Sequence, residues 1–323
     1  MSRKTVKIKF VDAWPGFVPE ESSIYHAIAQ THDIVLCDNP DYLIVQPYGH
    51  EHLKYDCVKI FFTGENATPD FNLFDYAIGF DYLEFGDRYL RAPLWSIVKR
   101  YRDRGQFAMP SDEALLNRGF CSFVVSNSRG EDIRARFYHA LSKYKRVDSG
   151  GYYLNNVGGP VKDKMTFISR YKFNIAFENS EYSGYTTEKI MEPFVAHTVP
   201  IYWGDPLIER DFNNKAFVRM VGKDDIEKTV EEVIRLDKDD EAYLKMCKES
   251  YSVRPDADIY WKRLVQFFGN IMDQSLDCAK RVATNGYQEA FYRNSLKKAF
   301  KAYDISCMPL NMYRRVRSLL RCK

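Results

Sequence analysis

The sequence predicts an α/β protein of two parallel sheets facing each other, followed by a basic amphipathic helical tail. Three observations predict it. Short apolar runs alternate with helical patterns through the first hundred residues, as βαβ units require. A charged stretch over 100–117, punctuated by Gly105 and Pro110, reads as a linker or loop, and the alternation restarts after it. The charge is also uneven. From Lys280 to Lys323 there are 11 Lys and Arg against Glu289 and Asp304, a net +9 on a chain of net +3, which leaves −6 on the rest. The expected units are 1–110, 111–272 and the tail 273–323.

The elements follow in order. Val6–Val11 alternates apolar and polar residues, as a half-buried strand does. Glu20–Gln30 carries Ile24, Ala27 and Ile28 at helical spacing. Ile34–Cys37, Tyr42–Gln46, Val58–Thr63 and Asp75–Phe80 are short apolar runs set off by turn residues. In the second half, Gly119–Val125, Lys172–Phe177 and Val199–Trp203 read as strands. Glu131–Lys143, Thr187–His197, Asp225–Leu236 and Asp258–Met272 read as helices. In the tail, Tyr292, Leu296, Ala299, Phe300 and Tyr303 form one apolar stripe among Arg293, Lys297, Lys298 and Lys301. A second piece after Pro309 repeats it, with Tyr313, Val316, Leu319 and Leu320 against Arg314, Arg315, Arg317 and Arg321. Basic amphipathic helices of this kind suit an anionic membrane surface, here through residues 288–323; the alternative is a helix packed on its own protein.

Composition narrows the function. With 45% hydrophobic and 28% charged residues the chain can build a large core. A mean hydropathy of −0.44 and no apolar run of spanning length argue against a transmembrane protein. The charge-broken start does not read as a signal peptide. Seven scattered cysteines with no CxxC spacing suggest reduced thiols and a cytoplasmic setting. No nucleic-acid motif accompanies the basic tail, so a nucleic-acid partner is not expected.

Ligands of open parallel sheets bind beyond the carboxyl ends of strands, where helix N-termini also point. Three loops qualify. After Phe177 comes F-E-N-S-E-Y-S-G-Y-T-T, with Lys189 in the first turn of the next helix. A lysine there opposes the helix dipole, which makes sense if an anion such as a diphosphate sits between them; otherwise it is a solvated lysine. Ser126 to Glu131 is the second loop, with Arg134 placed as Lys189 is, or else pairing Glu131 or Asp132 at the surface. The third is Thr63-Gly64-Glu65-Asn66, where Glu65 is either a general base facing the cleft or a solvated loop residue. Trp14 and Tyr48 follow early strands on the cleft side and suit stacking on sugar rings, although Trp14 also fits a core. Asp256-Ala257-Asp258 has the form of a metal-binding DxD, but lies outside these loops. His50-Glu51-His52 lacks a second ligand pair for zinc and reads as surface histidines.

The stretch F-N-I-A-F-E-N-S-E-Y-S-G-Y-T-T-E-K-I, then V-P-I-Y-W-G, resembles the signature of the α1,3-fucosyltransferases. So do F-F-T-G-E-N, F-N-L-F-D-Y-A-I-G-F-D and D-R-Y-L-R-A-P-L. The likeness is to bacterial members of glycosyltransferase family 10, and covers about 58–95 and 118–204. It implies a GT-B fold of two Rossmann-like domains across a cleft, and inverting transfer of fucose from GDP-fucose to a β-galactosyl-GlcNAc acceptor. An α1,4 or dual specificity on type 1 chains is the alternative, and a non-catalytic sugar-nucleotide-binding protein is a further one. Position by position, the resemblance implies Glu65 as general base. It implies Arg134, Lys189, Asn179 and Tyr185 as ligands of the donor phosphates, and Glu188 near the ribose and fucose hydroxyls. Glu178, Ser126 and Asn127 fall in the same motifs without an assigned role. No metal ligands and no required cofactor are implied; Mn or Mg enters only as a stimulant. A peripheral position at the inner face of the cytoplasmic membrane fits the tail. Phe62 stands where relatives more often carry an aromatic hydroxyl.

Overall fold

In the first sheet, strands buried on both faces dictate a layered structure, because each face needs its own cover. The computed structural model describes residues 3–98, 101, 107–253, 258–283 and 286–321, with side chains to residue 307. Six parallel strands form this sheet: β1 (Thr5–Val11), β2 (Asp33–Leu36), β3 (Tyr42–Val45), β4 (Val58–Phe62), β5 (Tyr76–Gly79) and β6 (Tyr89–Arg91), in the order β2-β1-β3-β4-β5-β6. β3, β4 and β5 are buried at every residue. Helix α1 (Ser23–Ile28), capped by Ser22, lays Ile24, Ala27 and Ile28 on one face. Phe74, Val45 and Phe61 fill the other.

The chain then passes through α2 (Leu94–Ile97) and α3 (Asp112–Leu116) into a second parallel sheet. This contains β7 (Gly119–Phe123), β8 (Val147–Ser149), β9 (Tyr171–Phe177), β10 (Val199–Trp203) and β11 (Val218–Arg219), ordered β11-β10-β9-β7-β8. Helices α4 (Ile133–Ser142), α5 (Lys164–Ile168), α6 (Glu188–Val195), α7 (Ile226–Lys238) and α8 (Asp240–Lys248) follow. Phe137 of α4 and Val233 of α7 pack on one face with Phe123, Phe177 and Trp203. Ile190, Met191 and Phe194 of α6 pack on the other.

Three elements differ from expectation. Within the stretch expected as a linker, Tyr101 is buried with Ile190 and Phe212, and α3 forms behind its Ser111 cap because Leu115 finds a core. Helix α9 (Ile259–Met272), expected with the second unit, packs on the first sheet. Its Tyr260, Leu264 and Phe268 join Val6, Ile8 and Ile60. Helix α10 (Leu276–Ala279) follows, and buried Asp75 pins the returning chain by accepting the backbone N–H groups of Arg281 and Val282, both at 2.7 Å. The tail, expected in two pieces, is one helix, α11 (Tyr287–Arg321). Pro309 removes a single N–H donor from its ladder, and the helix continues across it. The short strands β6, β8 and β11, of three residues or fewer, escaped the periodic reading.

The two sheets are joined through Asp211. It accepts from Arg91 at 2.7 and 3.2 Å and from the Tyr260 hydroxyl at 3.0 Å. The six cysteines among the described residues are free.

Candidate active site

β4 ends at Phe62, and Thr63 shapes the turn that follows. The Thr63 hydroxyl accepts from the Glu65 N–H and donates to the Glu65 carbonyl, both at 3.0 Å. Gly64 packs close under Leu94: a Cβ there would lie 2.9 Å from the end of the Leu94 side chain, which would have to move. Glu65 is exposed, and its Oε1 accepts from the Tyr48 hydroxyl at 2.9 Å. Burial, then this bond to a carboxylate, raises the Tyr48 phenol above its ordinary range. The Trp14 ring meets Tyr48 edge to face at 6.1 Å. Trp14 is 46% exposed, so it belongs to the cleft wall and not to a core.

Asp12 frames the Tyr48 loop. It turns the chain after β1 at φ +57°, a conformation that favours Asp and Asn over bulkier residues. Its carboxylate accepts the N–H groups of Glu51 and His52 at 2.7 and 3.1 Å, and pairs with His52 Nδ1 at 2.7 Å. His52 is therefore a buried, partnered residue and not a surface histidine, while His50 pairs with Asp304.

The second strand end is built differently. β9 ends at Phe177, and Glu178 is wholly buried. Thr187 caps α6 and donates both its N–H, at 2.8 Å, and its hydroxyl, at 2.7 Å, to the Glu178 carboxylate. Lys189 Nζ lies 3.1 Å from Glu178 and 3.4 Å from Glu188. Two of the chain's own carboxylates thus stand beside the lysine for which sequence expects an anion. Burial raises the Glu178 carboxyl, against the opposing pull of Lys189. Burial also pushes the Glu188 carboxyl up, but Lys189 and then Lys164 outweigh it and hold it at about 2. For Lys189, burial is outweighed by Glu178 and Glu188, so the ammonium stays charged.

Arg134, in the first turn of α4, is buried and not a surface arginine. Its Nη1 donates to Asn179 Oδ1 at 2.9 Å and its Nη2 to the Asn127 carbonyl at 2.8 Å. Its Nε has no hydrogen-bond partner among the described residues, and burial lowers its pKa. Asn127 Oδ1 accepts from the Arg129 N–H, and the Ser126 hydroxyl from the Tyr152 N–H. The Tyr185 ring packs on Phe80 of the first unit, with centroids 5.2 Å apart.

One cavity of about 490 Å³ brings the two strand ends together. Trp14, Tyr48, Phe62 and Glu65 line one side; Ser126, Asn127, Asn179, Tyr185, Glu188 and Lys189 line the other. Its size suits a nucleotide-sized ligand. The sides meet directly where Asn66 Nδ2 donates to Ser180 Oγ at 2.8 Å. Lys164 also lines the cavity and forms an ion pair with Glu192 of α6. Sequence reasoning missed Lys164, because it opens a helix that lies outside the three strand-end loops. Among the described residues no group of three His, Cys, Asp or Glu side chains is arranged to hold a metal. Asp258 precedes α9, and Asp256 lies outside the described residues.

Two family profiles match the chain. The N-terminal domain of alpha-(1,3)-fucosyltransferase FucT matches residues 8–98, and the C-terminal region of glycosyltransferase family 10 (fucosyltransferase) matches 117–282. Alpha-(1,3)-fucosyltransferase FucT of Helicobacter pylori is 36% identical over 299 aligned positions, which cover 79% of this chain and 62% of that protein. The chain thus spans less than two thirds of that relative. Alpha-(1,3)-fucosyltransferase 4 of Mus musculus is 39% identical over 88 residues, 27% of this chain and 20% of that one. A crystal structure of an α1,3-fucosyltransferase with GDP-fucose superposes with a TM-score of 0.74 at 32% identity, covering 85% of this chain and 92% of that chain. A UDP-N-acetylglucosamine 2-epimerase from Listeria monocytogenes shares the fold alone, at a TM-score of 0.50 and 8% identity over 85% of this chain and 98% of that one.

Proposed function

The chain belongs to glycosyltransferase family 10, the fucosyltransferases, with the GT-B fold of two Rossmann-like domains, and from that premise we propose that it is an inverting α1,3-fucosyltransferase. It moves L-fucose from GDP-fucose to the GlcNAc of an N-acetyllactosamine-type glycan. The observation that carries this reading is the cavity in which an exposed carboxylate, Glu65, faces the half-buried Lys189, with the buried Arg134 behind the lining residues Asn127 and Asn179.

The acceptor hydroxyl attacks C1 of fucose from the face opposite GDP. Its proton passes to Glu65 as the C–O bond forms, a contribution of about 10²–10⁴ in rate. The bond from C1 to the diphosphate breaks, and GDP leaves with the electron pair. The charge it gains falls to Arg134, Lys189 and the N-termini of α4 and α6, with Asn179 and Tyr185 as further ligands. Glu188 meets the sugar hydroxyls. Glu178, which sequence left without a role, holds Lys189 and caps the turn before α6 through Thr187. Trp14 and Tyr48 stack on the acceptor. No step in this scheme calls for a metal; Mn or Mg is a stimulant at most.

We propose units that divide near residue 110, with residues 259–282 returning to the first sheet and the tail following them. No helix among the described residues is long and apolar enough to cross a membrane. Peripheral contact of the tail with an anionic lipid surface, at the inner face of the cytoplasmic membrane, falls to its part beyond residue 307. The part before that is docked on the body through Tyr292, Arg293, Phe300 and His50.

The test is GDP release from GDP-fucose with N-acetyllactosamine, lacto-N-biose or no acceptor, each with and without EDTA. Release that depends on N-acetyllactosamine and survives EDTA is the expected outcome. A preference for lacto-N-biose would move the linkage to α1,4, and failure to bind GDP-fucose would end the reading.

A further inference from the structure

Sequence reading marks α11 for lipid, yet its first half lies across the two loops that carry Tyr48 and Glu65. The His50 ring stacks on Phe300 with centroids 4.6 Å apart and planes 6° from parallel. His50 Nε2 lies 2.8 Å from Asp304 Oδ2. The Tyr292 hydroxyl donates to Asp70 Oδ2 at 2.7 Å, and Asp70 closes the turn that follows Glu65 by accepting from the Asn72 N–H at 2.9 Å. One helix therefore touches the chain two residues after Tyr48 and five residues after Glu65.

The Tyr48 loop needs that second hold. Asp12 fixes its far end through Glu51 and His52, and accepts the Tyr48 N–H on its main-chain carbonyl at 2.9 Å. Between these anchors lies Gly49, where a Cβ would stand 2.5 Å from Asp12 Oδ1. Glycine is thus required beneath the loop, and it leaves the segment its greatest backbone freedom at the residue beside Tyr48. His50 is the next side chain along, and its partners are both on α11. Tyr48 in turn gives Glu65 the one side-chain hydrogen bond it has among the described residues.

We propose that α11 is a positioning element of the active site, and that His50, Phe300 and Asp304 hold Tyr48, and through it Glu65, in the geometry for proton abstraction. This rests on the reading of Glu65 as the base. An exposed carboxylate with one such hydrogen bond samples other rotamers whenever that bond is lost, and small misplacements at a reacting centre are costly in rate. None of the three lines the cavity, so they act through Tyr48 and not on substrate.

The experiment uses the full chain in solution without lipid or detergent. His50→Ala and Asp304→Asn are measured singly and together, with Tyr48→Phe, Glu65→Gln and a chain ending at residue 307. Each positioning variant is expected to lower kcat about 3- to 10-fold with the KM for GDP-fucose unchanged, because the donor side is untouched. The double variant is expected to lose no more than the worse single one. The chain ending at 307 keeps full kcat. Asp304 is exposed, so Asp304→Asn tests the idea even if His50→Ala folds poorly. Full kcat in Asp304→Asn and His50→Ala overturns the proposal while leaving the base assignment intact. Normal transfer by Glu65→Gln overturns both.

Discussion

The two strand ends that face each other across the cleft hold their carboxylates in opposite ways. Glu65, after β4, is exposed and takes one side-chain hydrogen bond, from Tyr48. Glu178, after β9, is sealed from solvent, with Thr187 and Lys189 around it. The difference follows from the work proposed for each side. A base must reach a hydroxyl that arrives and departs, so it needs an open approach. A group that sets the field for a leaving diphosphate works best where water is absent and nothing has to reorganise. Burial there carries a condition: an unpaired Glu178 would be costly, and Lys189, which also pairs with Glu188, meets the condition.

The largest expected effect tests the open side. Glu65→Gln should lower kcat by about 10²–10⁴ while GDP-fucose binding, by calorimetry, stays as in the wild type. If donor binding fell as well, the two sides would not be separate. Lys189→Met should lower kcat/KM for GDP-fucose by about 10²–10³ and lower Tm, because Glu178 and Glu188 lose their partner. The double variant Glu178→Gln with Lys189→Met should recover part of the Tm and none of the activity. That result would separate the structural need for the pair from its use.

Acid sharpens the contrast further. Glu188 is held at about 2, below its ordinary 4.5. Its ionised form is therefore favoured by the fold. The stability it contributes is complete above pH about 4.5 and is lost as pH falls toward about 2. The urea midpoint of the wild type should drop more steeply between about pH 5 and 3 than that of Glu188→Gln. Arg134→Lys keeps the charge and loses the fork, and should raise the KM for GDP-fucose about tenfold, one charge-assisted hydrogen bond. The smallest effect is expected across the gap between the sides. Asn66→Ala removes the hydrogen bond to Ser180 and should change kcat a few-fold, in line with ~0.5–1.5 kcal/mol.

Much of this was legible in the sequence, for a physical reason. Strand ends and caps are local signals, so β4, β9 and the starts of α4 and α6 could be placed. Glu65, Arg134 and Lys189 could be placed with them: Glu65 and Lys189 line one cavity, and Arg134 lies behind its lining residue Asn179. What was not legible depends on distance along the chain. Lys189 was read against a helix dipole, but its nearest charges are Glu178 and Glu188, set by how the turn folds back. The helical period of α9 was visible, yet period says nothing about which sheet a helix covers, and it covers the first. The apolar stripe of α11 was read as a lipid face; Phe300 on that stripe in fact stacks on His50, 250 residues earlier. Tyr48 and Glu65 meet because β3 and β4 are neighbours, and their hydrogen bond lies beyond any local pattern.

The return of α9 to the first sheet has a consequence during synthesis. The core of that sheet takes Tyr260, Leu264 and Phe268 from a segment made after the whole second sheet. A ribosome adds roughly 5–20 residues each second, so on the order of 10–40 s separate the emergence of α2 from that of Val282. Throughout that interval one face of the nascent first domain has only α1 and α2 for cover, while the strands of the second domain are made one after another. The order of completion is therefore the reverse of the order of translation. The amino-terminal half should keep apolar surface exposed until α9 has left the exit tunnel.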